Sequence, residues 1–466
     1  MDRKFSGTII NCYDSHVHWQ ATGTFRRHLR LHDLHGTSNE VVMQLRQIFE
    51  SAGVNGSGSG EWITGFGWDQ HRFTTTGYGH ASIDFTHEIL DRVFGERPAF
   101  FIRIDGHAAL VNRSALERAG LWRKNPVAPA GGEIQLKGDG YPSGILLDHA
   151  MQIVERLLPK QQPSQIRNDL LSAQKLFHEA GFTHIRDLSG DESQWQVTAA
   201  LESENQIALA VEQFFGVEDP NLFDRQLDLA VRLQGEWNLQ QRGRNNGLIR
   251  PRGIKIFLDG ALGSEGALLS CDYCTRAGHR GLQLLDKPTL RDFITRTWQA
   301  QLPIAVHAIG DAAAHLLAET ATEIEITGIV GELHIEHAEL LRSETISRLA
   351  RLSRVECYMQ PCHYLTDHRW LREKIGSLAA RAFRYRELEE QGIQIWFGSD
   401  SPIEEPSVIS TLHAIRAAEM QSDTPPPQHH GAHYHSHPDL DWVPDTKTVF
   451  IDDRVAQVKF LGQSLR

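Results

Sequence analysis

What the chain lacks narrows its function first. No apolar run approaches the roughly 18 residues a bilayer span requires, and the opening Met1-Asp2-Arg3-Lys4 leads into no signal-peptide core. No membrane partner is expected. Cysteine is scarce: Cys12, Cys271, Cys274, Cys357 and Cys362 are odd in number and scattered. That pattern excludes a disulfide framework and suits a reducing, cytoplasmic setting. Cys271 and Cys274 form a lone CxxC with no second pair at zinc-ribbon spacing, and read as two thiols in a loop. Positive charge is in deficit, with 47 Lys+Arg against 59 Asp+Glu and a net charge of -12. Nucleic acid and an anionic membrane surface are therefore excluded as main partners. No internal repeat is visible. What is left, 40% hydrophobic and 23% charged over 466 residues, has the composition of a globular protein with a large core.

The chain is rich in histidine, with 25, and two of them set the argument. In Asp14-Ser15-His16-Val17-His18 the two imidazoles share one face if the stretch is a strand, because side chains alternate with a period of two. A pair of neutral ring nitrogens at a strand end is half of a metal site. Two structural histidines would look the same, so the reading depends on partners further along.

Residues 8–13 (Thr-Ile-Ile-Asn-Cys-Tyr) are an apolar run leading into the pair and read as one buried strand. A helix near 39–51, a Gly/Ser spacer from Gly53 to Gly60, and strands at 62–70 and 100–107 follow. A short helix from Ala115 to Gly120 closes on glycine, and 131–147 reads as loops or short hairpins. From about residue 165 helix and strand alternate. Strand candidates are 182–187, 207–215, 253–260, 303–307, 333–337, 355–360 and 393–400. With the strand before His16 they number eight, and alternation with helices predicts a parallel sheet.

Eight such strands are the parts of an α/β TIM (β/α)8 barrel. The rival, an open doubly wound sheet, lacks the Gly-rich phosphate loop after its first strand. Roughly 160 residues separate the first two barrel strands, far more than a crossover helix needs. The expected division is therefore 1–39 for the first strand and its histidines and 40–155 for an insertion subdomain over the barrel mouth. Residues 156–420 complete the barrel, and 421–466 form a polar His-rich loop and a C-terminal β-hairpin.

Barrel enzymes work at the C-terminal ends of their strands. There the sequence places His16 and His18 (first strand), Lys255 (fourth), His307 (fifth), His337 (sixth) and Asp400 (eighth). Lys255 stands in an apolar strand, where a bare ammonium is costly unless partnered or chemically changed. A desolvated amine can take up carbon dioxide, and the resulting carbamate could bridge two cations roughly 3.5 to 4 Å apart. Each residue has a plain alternative, such as Asp400 capping the next helix, but six in strand order argue for a site. His334, three residues before His337, has the opposite parity and should face away from the metals.

The motifs DSHVH, GWDQ, DGHAALVN, KIFLDGALGS, VHAIGDAA, IEHAELL, QPCH and GSDSPIEEP together resemble the amidohydrolase superfamily, in its branch of N-substituted formamide deformylase-like proteins. The resemblance spans about residues 13–410. It implies a metal-dependent barrel hydrolase acting on carbon–nitrogen bonds other than peptide bonds. It also implies that His16, His18, His307, His337 and Asp400 hold one or two divalent ions, zinc foremost, with Lys255 as a carboxylated bridge. Members usually carry a β-sandwich built from both termini. Only 12 residues precede the polar end of the first strand here, so that sandwich is expected to be reduced or absent.

The expected chemistry is attack by a metal-activated water on an amide, formamide or related small molecule, with Asp400 as general base and His307 beside it. Trp68, Asp69, Asp105 and His107 of the insertion are the substrate-binding candidates; His107 reads equally as a turn residue. Two alternatives remain: a metal-dependent isomerase or decarboxylase on the same barrel, and a non-catalytic metal-binding protein using the run from His429 to His437. A homo-oligomer is compatible with all three.

Overall fold

The computed structural model describes residues 5–52, 62–73, 85–242, 247–421, 446–461 and 463–465. The Gly53–Gly60 spacer and the run from His429 to His437 lie outside them. The chain divides into two compact units, Met1–Gly23 with Gln162–Arg466, and Thr24–Gln161.

The larger unit holds eight parallel strands: Tyr13–Val17, His184–Gly190, Ala210–Val217, Ile249–Phe257, Ile304–Ala308, Leu333–His337, Val355–Met359 and Gln394–Phe397. They pair in chain order. The first and last strands meet at their C-terminal ends. Val17 bridges Ser401, Asp400 N–H donates to His16 O at 2.7 Å, and His18 N–H donates to Ser401 O at 2.8 Å. The result is a nearly closed (β/α)8 barrel.

Alternation along each strand sorts the side chains. Ile254, Ile256, Ile304, Val306, Leu333 and Ile335 pack outward against Leu290, Ile294, Leu317 and Ala321 of the surrounding helices. The helices carry orthodox ends. Pro163–Ala180 opens with proline and closes on Gly181 at φ 97, and Asp286 caps Lys287–Gln299 by accepting from Thr289 N. The interior is polar instead of the usual branched apolar filling. Arg186 on the second strand reaches across to Glu336 on the sixth at 2.9 Å. Tyr13 Oη donates to Glu212 at 3.0 Å.

The run at 8–13, expected as one strand, is two. Gly7–Ile10 leaves the barrel and pairs antiparallel with Lys447–Ile451, which pairs with Arg454–Phe460 and then Gln463–Ser464. Asn11 at φ 48 makes the break, a left-handed turn that asparagine tolerates better than most residues. Both termini thus build a small four-stranded sheet, where only a hairpin was foreseen. It is anchored by Thr448 Oγ1 donating to Gly181 O at 2.5 Å.

The smaller unit has its own six-stranded sheet, ordered Leu29–Arg30, Ile63–Trp68, Ala99–Arg103, Ala108–Val111, Pro142–Asp148, Gly132–Leu136. Its core includes Phe100, Val111, Leu116, Ile134 and Leu146.

At the barrel seam Gly398 has no room for a side chain: a Cβ there would lie 2.4 Å from His16 N. Gly398→Ala should force the seam apart and cost about 1–3 kcal/mol, the usual range for overpacking. A thermal midpoint equal to that of the unaltered protein would contradict this.

Candidate metal centre

Three ligand candidates come from the seam itself. His16 lies near the end of the first strand, His18 directly follows it, and Asp400 follows the eighth. His16 Nε2 and His18 Nε2 each lie 3.2 Å from Asp400 Oδ1, and one ligand atom of each lies within 4.8 Å of the others.

The hydrogen-bond network around His16 decides what this geometry means. Its Nδ1 lies 2.6 Å from Glu336 Oε2, with both side chains fully buried. Burial works to raise the Glu336 pKa, but Arg186 and His16 outweigh it and draw it down to about 2. An ionised Glu336 can only accept, so Nδ1 carries the proton and Nε2 presents its lone pair to Asp400. Asp400 is also ionised. Burial opposes its charge, yet His16, His18 and His337 hold it well below the usual carboxylate range. Where His16 is neutral, two acceptors face each other at 3.2 Å, a meeting of lone pairs that a cation between them would relieve. The donor set of two imidazoles and a carboxylate suits zinc, so these residues fit the ion that the sequence implies.

The remaining candidates lie close by in the same barrel. The His337 ring is 4.9 Å from that of His16 and 4.4 Å from that of His307, centre to centre. Burial, with His307 and His16 beside it, pushes the His337 pKa well down and leaves the ring neutral, as a ligand must be. His307 Nε2 is 3.3 Å from Gly260 O. Lys255 is fully buried with no hydrogen-bond partner for Nζ among the described residues. Burial lowers its pKa to about 8. It stands 4.7 Å above the Phe257 ring.

Parity placed His334 facing away, and here the structure differs. His334 shares the inward face with Glu336, and its Nδ1 lies 2.9 Å from Arg186 Nη2. His337 joins that interior because its φ of 70 breaks the alternation.

Five partners were not foreseen. Glu336 orients His16, and Arg186 holds Glu336. Asp14 accepts from Ser399 N at 2.8 Å and Ser399 Oγ at 2.7 Å, tying the seam. Glu339 and His363 pair at 3.1 Å and form a second ligand group with His337. Burial opposes charge on His363, but Glu339, Asp400 and Glu404 push its pKa up to about 10.

The four substrate-binding candidates belong to the smaller unit, and each is partnered there. Trp68 is buried and its Nε1 donates to Phe101 O at 2.8 Å. Arg103 holds Asp69 at 2.9 Å and Asp105 at 2.6 Å. His107 Nδ1 lies 2.6 Å from Asp148.

Barrel and ligand set together define a hydrolase of the metal-dependent kind. The chain belongs to the amidohydrolase family, whose model matches residues 13–425. It is 27% identical over 476 residues to Protein LONG AFTER FAR-RED 3 of Arabidopsis thaliana, covering 98% of this chain and 74% of that one. It is 30% identical over 419 residues to the putative amidohydrolase YtcJ of Bacillus subtilis (strain 168), covering 88% and 73%. It is 22% identical over 348 residues to N-substituted formamide deformylase of Arthrobacter pascens, covering 72% and 61%. An uncharacterized metal-dependent hydrolase from Pyrococcus horikoshii OT3 shares the fold, with a TM-score of 0.63, 22% identity, and coverage of 93% and 79%.

Glu336→Gln should weaken divalent-ion binding about 10- to 100-fold, the usual effect of losing the group behind a ligating histidine. Competition against a chelator measures it, and an unchanged affinity would remove Glu336 from the orienting role.

Proposed function

We propose that this protein hydrolyses a non-peptide carbon–nitrogen bond of a small molecule, an amide, a formamide or a related group. The observation that carries the reading is the convergence of His16 Nε2 and His18 Nε2 on Asp400 Oδ1, each at 3.2 Å. A divalent ion held there, zinc foremost, would polarise the substrate carbonyl and acidify the attacking water. Asp400, beside that ion, would take the proton from the attacking water and pass it to the leaving nitrogen. Glu336 keeps His16 in the one tautomer that presents Nε2 to the site. His307, packed against His337, flanks the reacting group. The similarity to the formamide deformylase favours N-acyl and N-formyl amines as the substrate class, and five cysteines without a disulfide suit a cytoplasmic setting.

The test is a screen of N-formyl and N-acyl amines with metal content measured in the same preparations. Asp400→Asn should lower kcat about 10²- to 10⁴-fold, the span that a positioned general base contributes, and removal of the ion should abolish turnover. Full activity in metal-free protein would overturn the proposal.

A further inference from the structure

We propose that His334 is a positioning residue: its Nδ1 steers the Arg186 guanidinium onto Glu336 and so strengthens His16 as a ligand. This rests on the metal-dependent reading above and extends it to a residue that no ion would touch.

Arg186 ties three strands together. From the second it donates through Nη1 to Ser15 O on the first at 3.2 Å, and through Nη2 to Glu336 Oε1 on the sixth at 2.9 Å. His334 Nδ1 lies 2.9 Å from the same Nη2. A guanidinium has only donors, so the His334 nitrogen that meets it must accept. That fixes the ring as the neutral tautomer with its proton on Nε2. The opposite contact agrees, because Nε2 faces a carboxylate, Glu332 Oε2, at 3.8 Å.

The hydrogens of the guanidinium show why the imidazole matters. Nη2 carries two, and Glu336 and His334 take one each. The rings of Phe214 at 4.2 Å and Tyr358 at 3.9 Å hold the group by its faces. Ring faces fix its plane but not its rotation within that plane, which the acceptors at its edge must set. An apolar side chain at 334 would strip one buried N–H of its acceptor, a loss that favours rotation away from the present geometry. The carboxylates flanking His334 already serve other donors: Glu332 takes Arg252 and Arg354, and Glu356 takes Tyr358 and Trp396.

Strand register makes room for the ring. His334 is buried and aligns with the small Ala305 on one side and Glu356 on the other. Two residues further along the same face stands Glu336, whose second oxygen meets His16 Nδ1 at 2.6 Å. The line from His334 through Arg186 and Glu336 therefore ends on a ligand, and a carboxylate held firmly behind a ligating histidine raises its basicity.

The experiment measures the Zn²⁺ affinity of ion-stripped full-length protein by competition against a chelator. His334→Leu should weaken binding about 10-fold, the lower end of the range for groups standing behind a ligand. His334→Asn, whose Oδ1 offers Arg186 an acceptor in place of Nδ1, should restore most of it. In a Glu336→Gln background His334→Leu should have little further effect, because its action passes through that carboxylate. Nitrogen-15 resonance of histidine-labelled, ion-stripped protein should show His334 protonated on Nε2, its signals identified by their loss in His334→Asn. Thermal melts verify folding, and the tautomer is read on the unaltered protein whatever the Leu variant does. Unchanged affinity in His334→Leu would overturn the proposal, as would an equal loss in His334→Asn or an undiminished further loss in the Glu336→Gln background. So would a His334 ring protonated on Nδ1. Each of these leaves the hydrolase reading standing, whereas protein that takes up no Zn²⁺ at all removes both.

Discussion

A carboxylate buried in the middle of the barrel, Glu336, is the constraint on which the rest of the site depends. One oxygen takes Arg186 at 2.9 Å and the other takes His16 at 2.6 Å. Arg186 is itself fully buried between the rings of Phe214 at 4.2 Å and Tyr358 at 3.9 Å, an arrangement that offsets part of its desolvation through the ring faces. Such a pair is poor value as a source of stability, since well-packed apolar residues of similar volume often do as well. Removing one partner is another matter and typically costs 3–5 kcal/mol, because the other charge is left buried and alone. The pair therefore makes sense as a positioning device. It fixes one proton on His16 Nδ1 and so fixes the lone pair that faces Asp400.

Backbone strain is concentrated on the same residues. His337 and Asp400 both have positive φ, at 70 and 58, in a region that costs non-glycine residues about 1–3 kcal/mol each. Local hydrogen bonds hold them there. Ala338 N–H donates to Glu336 O at 2.9 Å, and Asp400 lies between its own donation to His16 O and the Ile403 N–H at 2.8 Å on its carbonyl. Had the sixth strand continued with regular alternation, His337 would have pointed with Leu333 and Ile335 into the apolar shell beneath the helices. The left-handed residues turn it inward instead.

This also explains what could and could not be read from the sequence. His16, His18, Lys255, His307, His337 and Asp400 were visible because each sits at or near the end of an apolar run, and eight such runs made a barrel. Glu336 was hidden by its position beside His337: period-two reasoning assigns neighbours to opposite faces, and here both face in. The same reasoning misplaced His334, which lies in the interior against Arg186. Glu339 and His363 lay within motifs that were noticed, but the turn that unites them depends on two φ values that no pattern encodes. The split of the first apolar run at Asn11 failed for a similar reason. Five of its six residues suit one strand, and a single left-handed residue makes it two.

The seam explains why fold and chemistry are hard to separate here. A barrel must close somewhere, and this one closes where its first and last strands carry three of the ligand candidates. Asp14 clamps Ser399 through two hydrogen bonds, Gly398 lets the strands approach where any side chain would collide with His16, and Asp400 reaches back to His16 O. An ion bound at that point would fasten the same two strands, so its binding free energy would add to the stability of the closed barrel, about 2.7 kcal/mol at a free concentration 100 times Kd. Closure and ligand geometry therefore constrain one another: a change that loosens the seam displaces a ligand, and a change that evicts the ion loosens the seam. Substrate preference can vary with the loops at the strand ends, whereas the residues that close the barrel cannot vary without disturbing the site.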